Sequence, residues 1–88
     1  MKDVRPTTKY KKDLGRVRKR GKNLDKLKMV IAALAMELPL PPAWRDHELT
    51  GAWKGVRDIH VEPSWILLYE STDDEIVLIR TGTHADLF

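Results

Sequence analysis

The stretch WILLYESTDDEIVLIR, residues 65–80, decides the fold class of this 88-residue chain. WILLY, residues 65–69, is apolar at consecutive positions, which is typical of a central strand covered on both faces. EIVLIR, residues 75–80, has the pattern of a second apolar strand, and the polar STDD before it is a hairpin turn. The stretch therefore predicts two antiparallel strands inside a small sheet.

A third strand is predicted just upstream, where VRDIHVE, residues 56–62, alternates in character. Pro63 and Ser64 form the turn into WILLY, which gives a three-stranded antiparallel meander. The N-terminal arm MKDVRP is either an added edge strand or a loose segment. The alternation puts Val56, Asp58, His60 and Glu62 on one face of the strand and Arg57, Ile59 and Val61 on the other.

Two amphipathic helices are predicted before the sheet. In KYKKDLGRVRKRG, residues 9–21, apolar side chains recur with helical spacing, and Thr7 and Thr8 are available as N-caps. Asn23 is the expected N-cap of LDKLKMVIAALAMEL, residues 24–38, and PLPPAW then forms an extended connector. The apolar stripes are Tyr10, Leu14 and Val17 in the first helix, and Leu24, Leu27, Ile31, Leu34 and Leu38 in the second.

These elements predict a single α+β domain, residues 1–88, with two N-terminal helices packed on one face of a small antiparallel sheet. The other face is then partly open and is the expected place for a site. The chain has no cysteine, which excludes disulfides and thiolate metal sites, and 42% hydrophobic residues indicate a globular protein. The apolar run MVIAALAM is too short to cross a membrane, and MKDVRPTTKYKK lacks the apolar core of a secretory signal. We therefore expect a cytoplasmic protein.

Charge is distributed unevenly along the chain. Residues 1–30 contain twelve Lys or Arg and three acids, whereas residues 31–88 contain four and ten. Such a basic segment is often only a solvated face, but this excess favours a polyanionic partner, either RNA or DNA. The aromatic candidates for base stacking are Trp44, Trp53, Trp65 and Phe88, although WILLY places Trp65 at least partly in the core.

Histidines and arginines in the second half are the candidates for chemistry. His47, His60 and His84 are either a general acid–base group brought together at one end of the sheet or three unrelated histidines. Their spacing matches no short zinc motif, which disfavours a metal site that includes Asp58. Arg80, at the end of a strand, is either a phosphate ligand or the partner of a nearby acid.

Two long blocks then resemble a known family. DHELTGAWKGVRDIHVEPSWILLY, residues 46–69, and IRTGTHADLF, residues 79–88, resemble the YafQ branch of the RelE toxin superfamily. The resemblance implies a ribosome-dependent mRNA endoribonuclease of a bacterial type II toxin–antitoxin pair. Such an enzyme cleaves mRNA in the ribosomal A site, without a metal or cofactor, by attack of a ribose 2′-OH on the adjacent phosphate. The products carry a 2′,3′-cyclic phosphate and a 5′-OH.

Site roles and partners follow from the same resemblance. His84 corresponds to the catalytic acid, His47 and His60 to residues that act as base or orient substrate, and Arg80 to the phosphate-stabilising arginine. The implied partners are an acidic antitoxin that covers the basic surface, the ribosome and mRNA. Operator DNA is contacted only through the antitoxin complex, and no membrane is involved. Phe88 corresponds to an aromatic near the family's site. From residue type and resemblance together, the substrate-binding candidates are Phe88, Ser64, Trp65, Arg57 and Lys54.

Ser64 departs from the family pattern, which commonly reads HVEPDW with an aspartate that helps to activate the nucleophile. A serine hydroxyl is no general base at neutral pH, so this role is lost or moves to His60 or His47. One alternative is therefore a weakened or inactive RelE-like module that binds antitoxin and ribosome without cutting. A generic nucleic-acid-binding domain is another alternative, but it leaves the histidines unexplained.

Overall fold

A mixed five-stranded sheet forms the centre of the protein in the computed structural model, which describes residues 1–88. The strand order is β1-β5-β4-β3-β2, and every neighbouring pair is antiparallel except β1 with β5. The N-terminal arm is thus an edge strand, one of the two alternatives, and its parallel pairing with β5 makes the sheet mixed. The strands are β1 (Asp3–Pro6), β2 (His47–Glu48), β3 (Arg57–Glu62), β4 (Trp65–Ser71) and β5 (Glu75–Gly82).

The two predicted helices are present as α1 (Thr8–Lys19) and α2 (Leu24–Ala35). Both begin at predicted caps, because Thr7 Oγ1 accepts a hydrogen bond from the Tyr10 backbone N–H and Asn23 Oδ1 accepts one from the Asp25 N–H. Short 3₁₀ turns at Pro42–Trp44 and Gly51–Trp53 flank β2, and a one-turn helix, α3 (His84–Leu87), follows β5.

Helix α2 ends three residues earlier than the apolar spacing predicts. Glu37 adopts a left-handed conformation with φ of 54°, and Leu38 is 48% exposed. Pro39 disfavours helical geometry at the residue before it, which is why the apolar stripe cannot extend to Leu38. Val30 and Ala33, which the predicted stripe omitted, are buried instead.

Strand β4 separates two apolar clusters, as expected for a central strand. Its side chains at Trp65, Leu67 and Tyr69 pack with α1 and α2, whereas Ile66 and Leu68 pack on the opposite face with Val56 and Leu87. The helices therefore cover one face of the sheet, and the short α3 covers part of the other. This second face carries the candidate site.

Strand β3 places Asp58 and His60 on the second face, because they pair with Leu68 and Ile66 across the antiparallel ladder. The predicted alternation fails at Glu62. A register shift lies between His60 and Glu62, and the Glu62 carboxylate accepts hydrogen bonds from Lys22 and Lys26 near the start of α2. No helix of the protein is both long and apolar enough to cross a membrane.

Candidate active site

Three imidazoles surround one buried carboxylate. Asp58 Oδ2 lies 4.0 Å from His47 Nε2 and 3.7 Å from His84 Nε2, and Asp58 Oδ1 lies 3.8 Å from His60 Nδ1. Asp58 is only 2% exposed, whereas His47 and His84 are exposed. The cluster thus joins a shielded negative charge to two imidazoles that a substrate can reach.

The three histidines converge by a different route from the predicted one. We expected two loops to meet at one end of the sheet, but His47 lies on the edge strand β2, directly opposite Asp58 in the register. His60 follows Asp58 on the same face of β3, and His84 begins α3. Asp58 itself was considered only as a metal ligand, although its alternation with His60 in VRDIHVE was the signal that placed it in the site.

Asp58 Oδ1 and His60 Nδ1 are buried and have no hydrogen-bond partner. Their separation of 3.8 Å exceeds hydrogen-bonding distance. Catalytic hydrogen bonds in unliganded sites are often long and shorten when substrate binds. The histidines are therefore close enough for a small movement to complete the network. No three of the protein's His, Asp and Glu side chains are arranged to hold a metal ion.

The tautomer of His47 follows from its backbone contact. His47 Nδ1 lies 2.8 Å from the carbonyl oxygen of Arg45, which adopts a left-handed conformation with φ of 50°. A carbonyl only accepts hydrogen bonds, so Nδ1 carries the proton that it donates. In neutral His47 the lone pair is then on Nε2, the atom that lies near Asp58. His47 is thus prepared to accept a proton at Nε2.

His84 is held by the cap of α3. Thr83 Oγ1 accepts a hydrogen bond from the Asp86 N–H, and the Asp86 carboxylate accepts one from the Thr83 N–H. A Cβ added at Gly82 would lie 2.9 Å from Asp86 Oδ2, so this turn has no room for a larger residue. The motif GTH therefore fixes the start of the helix and the position of His84.

Arg20, just after α1, reinforces this cap from outside the sheet. Its guanidinium donates two hydrogen bonds to Asp86, at 2.6 and 3.1 Å. The hydrogen bond from Arg20, together with the one from the Thr83 backbone, holds the pKa of the Asp86 carboxyl well below its usual range. Because the pKa is lowered in the folded state, Asp86 stabilises the protein above the pKa of an unfolded aspartate. That contribution is lost as the pH falls toward the folded pKa.

We expect Asp86→Asn to lower the midpoint of thermal unfolding at pH 7, since the ionic pair with Arg20 is lost and the Thr83 N–H is left with a neutral acceptor. The difference from the wild type should narrow as the pH falls below about 4, where an unfolded aspartate protonates. Thermal unfolding followed between pH 7 and pH 2 measures this. Asp74→Asn, in an exposed turn, is the matched control. A difference that is constant with pH would contradict the ionic account.

Aromatic rings border the histidines. The Phe88 ring lies edge-on to Trp53 with centroids 5.5 Å apart, and it lies 5.9 Å from His84. The His84 ring is in turn 5.8 Å from that of His60. Phe88 is 56% exposed, so one part of the ring packs and another faces solvent. Lys54, which follows Trp53, is also exposed. These residues form one wall beside the imidazoles.

A β-bulge places Arg80 in the same cross-strand row as Asp58. Leu68 pairs with Asp58 on one side and with Arg80 on the other, while the bulge leaves Ile79 as the extra residue of β5. Two strand spacings separate Asp58 from Arg80, which is about 10 Å between backbones. Arg80 is ion-paired, but with Asp13 of α1 instead of an acid nearby in sequence. The hydrogen bonds that Arg80 donates to the Asp13 carboxylate raise the pKa of Arg80.

Two of the predicted substrate contacts lie elsewhere. Trp65 is 1% exposed and its Nε1 donates a hydrogen bond to Thr81, so the buried indole offers no surface to a substrate. Arg57 faces the helices, where it donates hydrogen bonds to Asp46 and lines a cleft of about 470 Å³. This cleft is on the side of the sheet opposite the histidines. β-strand alternation turns both side chains away from the histidine face.

Comparison with known proteins identifies the family. A model described as the bacterial toxin of type II toxin–antitoxin system, YafQ, matches residues 2–88. The chain belongs to the YafQ toxin family. It is 48% identical over 87 residues to the mRNA interferase toxin YafQ of Escherichia coli K12, which covers 98% of this chain and 95% of that protein. The suspected resemblance is confirmed.

Solved structures agree with the YafQ assignment. The chain matches the crystal structure of the E. coli DinJ–YafQ toxin–antitoxin complex with a TM-score of 0.91 and 48% identity, covering 99% of this chain and 97% of that one. A metal-bound toxin from Helicobacter pylori has a TM-score of 0.93 and 36% identity, with both chains fully covered. These matches confirm the predicted α+β fold.

Ser64, where the YafQ pattern commonly has aspartate, lies in the turn between β3 and β4. This turn is at the same end of the sheet as His84, because β3 and β5 run in the same direction and His84 follows β5. Ser64 is exposed and its hydroxyl makes no hydrogen bond within the protein. Its side chain is therefore free to contact a substrate, and it stabilises none of the three histidines.

Proposed function

We propose that this YafQ-family toxin is an mRNA interferase, an endoribonuclease that cleaves mRNA in the ribosomal A site and so inhibits translation. The relatives that are 46–48% identical carry the name mRNA interferase. The observation that supports the chemistry is the placement of His47 Nε2 and His84 Nε2 within 4.0 Å of one oxygen of Asp58. Such a pair provides a proton acceptor and a proton donor side by side.

The reaction begins with His47. Its neutral Nε2 accepts the proton of the ribose 2′-OH, and the 2′-oxygen attacks the adjacent phosphorus. His47 suits the role of base because the Arg45 carbonyl keeps the proton on Nδ1 and leaves Nε2 free. The His60 ring packs beside the His84 ring, with centroids 5.8 Å apart, and so limits the position of His84. The base assignment thus moves from the family aspartate to a histidine.

Arg80 and His84 complete the reaction. Arg80 stabilises the negative charge on the phosphorane oxygens, a role suited to the paired donors of a guanidinium. His84 donates a proton to the leaving 5′-oxygen as the bond between phosphorus and that oxygen breaks. The products are a 2′,3′-cyclic phosphate and a 5′-OH. Side chains supply the base, the acid and the positive charge, so the mechanism assigns no step to a metal ion.

Asp58 serves both halves of this reaction. Before cleavage His84 is the charged imidazolium, and after cleavage His47 is. Asp58 Oδ2 lies 3.7 Å from one and 4.0 Å from the other, so its negative charge stabilises each state without moving. Its burial strengthens this effect, since little water screens it. The net charge of the three-residue unit is unchanged by the reaction.

The aromatic wall is the proposed place for a base next to the scissile phosphate. The exposed part of Phe88 stacks on a nucleobase while Trp53 holds its edge. Lys54, just before β3, contacts a flanking phosphate. Ser64, in the turn after β3, contacts the RNA at the other end of that strand. These four side chains are the proposed substrate contacts, whereas Trp65 is buried and Arg57 binds Asp46 on the other side of the sheet.

The partners are a cognate acidic antitoxin and the ribosome, and the reaction places the protein in the cytoplasm. A YafQ toxin of E. coli forms a complex with the antitoxin DinJ. The exposed side of α1 supports both partners here, because it carries cations that have no carboxylate partner. These cations are Lys9, Lys11, Lys12, Arg18 and Lys19. Operator DNA is contacted only through the antitoxin.

Primer extension on mRNA bound to translating ribosomes tests the function. We expect discrete cuts within the A-site codon that require ribosomes, and fragments that end in a 2′,3′-cyclic phosphate. Naked mRNA is the control. Cleavage of naked mRNA at the same rate would contradict ribosome dependence. Absence of cleavage together with intact ribosome binding would favour the second candidate, a silent toxin, for which Ser64 is the supporting observation.

Restoring the family residue separates the two candidates. We expect Ser64→Asp to raise the cleavage rate about tenfold or more, because a carboxylate in this turn adds a second proton acceptor close to the substrate. The rate on programmed ribosomes measures this, and Ser64→Asn is the control of similar size without charge. An unchanged rate would show that His47 alone suffices as base.

A further inference from the structure

Asp13, in the middle of α1, is a buried acid outside the histidine cluster. It is 4% exposed and accepts four hydrogen bonds. Arg80 donates two of them, from Nε at 2.6 Å and Nη2 at 3.0 Å. Arg16 Nη2 donates the third at 2.7 Å, and the Thr81 backbone N–H donates the fourth at 3.2 Å. All four acceptor positions of the carboxylate are thus occupied, two by Arg80 and the others by Arg16 and the Thr81 backbone N–H.

The contact with Arg80 uses one edge of the guanidinium. Nε and Nη2 form a fork on the two oxygens of Asp13, which fixes the plane of the group. Nη1 makes no hydrogen bond within the protein, and the Arg80 side chain is 22% exposed. One edge of the guanidinium is therefore fixed by Asp13, and Nη1 on the other edge is free to donate a hydrogen bond.

Arg16 determines the charge of this group. A single carboxylate paired with Arg80 would cancel the positive charge that a phosphate needs. Because Arg16 shares Asp13, one carboxylate binds two guanidiniums and the three side chains together retain one positive charge. The arrangement combines orientation of Arg80 with a net positive charge, which a simple ion pair does not provide.

We propose that Asp13 is a positioning residue that orients Arg80 toward the phosphate undergoing attack, while Arg16 preserves the positive charge. This inference rests on the proposed function of Arg80. Helix α1 is a firm support for Asp13, because its ends are attached to the site strand and to α3. Thr7 donates a hydrogen bond to the Ile79 carbonyl at 3.0 Å, and Arg20 binds Asp86.

The two possible roles of Asp13, positioning Arg80 or only altering the local charge, predict opposite changes in the cleavage rate of Asp13→Asn. Removing a negative charge beside Arg80 should, by charge alone, strengthen RNA binding and leave cleavage equal or faster. If Asp13 positions Arg80, the maximal rate of cleavage on ribosomes should fall about 10- to 100-fold, because a small misplacement of a catalytic group has effects of this size. The ribosome concentration for half-maximal rate should stay unchanged or fall. A rate equal to or above that of the wild type would overturn the proposal.

A double-mutant cycle shows whether Asp13 acts through Arg80. In an Arg80→Ala background, Asp13→Asn should change the rate less than about twofold, since the group that it positions is absent. An equal loss in both backgrounds would mean a merely structural role and would overturn the proposal. Glu75→Gln is the matched control, because it removes a carboxylate that also binds an arginine, Arg5, at the far end of β5. It should leave the rate unchanged.

Two further measurements keep the proposal testable if Asp13→Asn does not fold or if the wild type does not cleave. Asp13→Glu retains the charge but displaces the carboxylate, and it should lower the maximal rate in the same direction. The ¹⁵N-edited NMR signal of Arg80 Nε–H should be protected from solvent exchange in the wild type and exposed in the variants. Protection unchanged in the variants would overturn the proposal whether or not cleavage occurs. Absence of cleavage with protection lost would reject only the proposed function.

Discussion

Changing His84 to alanine is expected to lower the rate of mRNA cleavage on ribosomes about 10²- to 10⁴-fold, the range that general acid catalysis contributes. The reason is specific to its place in the site. His84 Nε2 lies 3.7 Å from Asp58, and the exposed ring borders Phe88. The proposed mechanism puts the leaving 5′-oxygen at this border. No other exposed histidine follows β5 to replace it.

Binding should persist in this variant, because the free cations of α1 and the Arg80 group are unchanged. Primer extension gives the rate, and sedimentation with ribosomes gives the binding. Asp74→Asn, an exposed substitution, is the control for folding and for sample preparation. Retained cleavage would remove His84 from the reaction and would favour a generic nucleic-acid-binding domain, whose binding depends on the basic helices alone.

Asp58→Asn is expected to reduce cleavage as severely. In Ser-His-Asp triads, replacing the carboxylate by its amide lowers kcat about 10⁴-fold, because the amide no longer stabilises the imidazolium and favours the wrong tautomer. Asp58 differs from a triad aspartate, because it faces the Nε2 atoms of His47 and His84 at 4.0 and 3.7 Å instead of hydrogen-bonding Nδ1. Its negative charge likewise stabilises each imidazolium, so we expect a loss of about 10²- to 10⁴-fold. The amide has nearly the same shape, so the buried site should keep its packing.

The rate on programmed ribosomes measures the loss, and the ¹⁵N shifts of the imidazole nitrogens report which tautomers are present. Asn at position 58 should alter these shifts in the three histidines and leave ribosome binding intact. A rate within about threefold of the wild type would show that the carboxylate only fills space, since general acid–base groups contribute far more.

Local sequence patterns predicted much of the fold. The continuous apolar run at WILLY identified β4, and the alternation of VRDIHVE put Asp58 and His60 on one face. Thr7 and Asn23 marked the starts of both helices. Each of these features depends on residues a few positions apart, which is the range over which periodicity and capping operate.

The features that the sequence did not reveal depend on distant pairing. His47 reaches Asp58 because a two-residue strand joins the edge of the sheet, which is too short to show a period. Asp13 and Arg80 are 67 positions apart, and no local pattern links them. The bulge at Ile79 also decides the face of Arg80. Trp65 shows the opposite case, because its apolar neighbours predicted its burial, whereas its aromatic ring alone had made it a candidate for base stacking.

The parallel pairing of β1 with β5 has a consequence for the order of folding. Residues 3–6 meet residues 75–78, so this contact closes a loop of nearly the whole chain, whereas the β3–β5 hairpins close short loops. The histidines all come from residues 47–84, but the partner that orients Arg80 comes from α1, directly after β1. A folding intermediate with only β2–β5 and α3 formed would therefore contain the proposed proton-transfer groups without Asp13, the residue proposed to orient Arg80. Under the proposed mechanism, catalytic competence is then acquired only when the N-terminal segment docks.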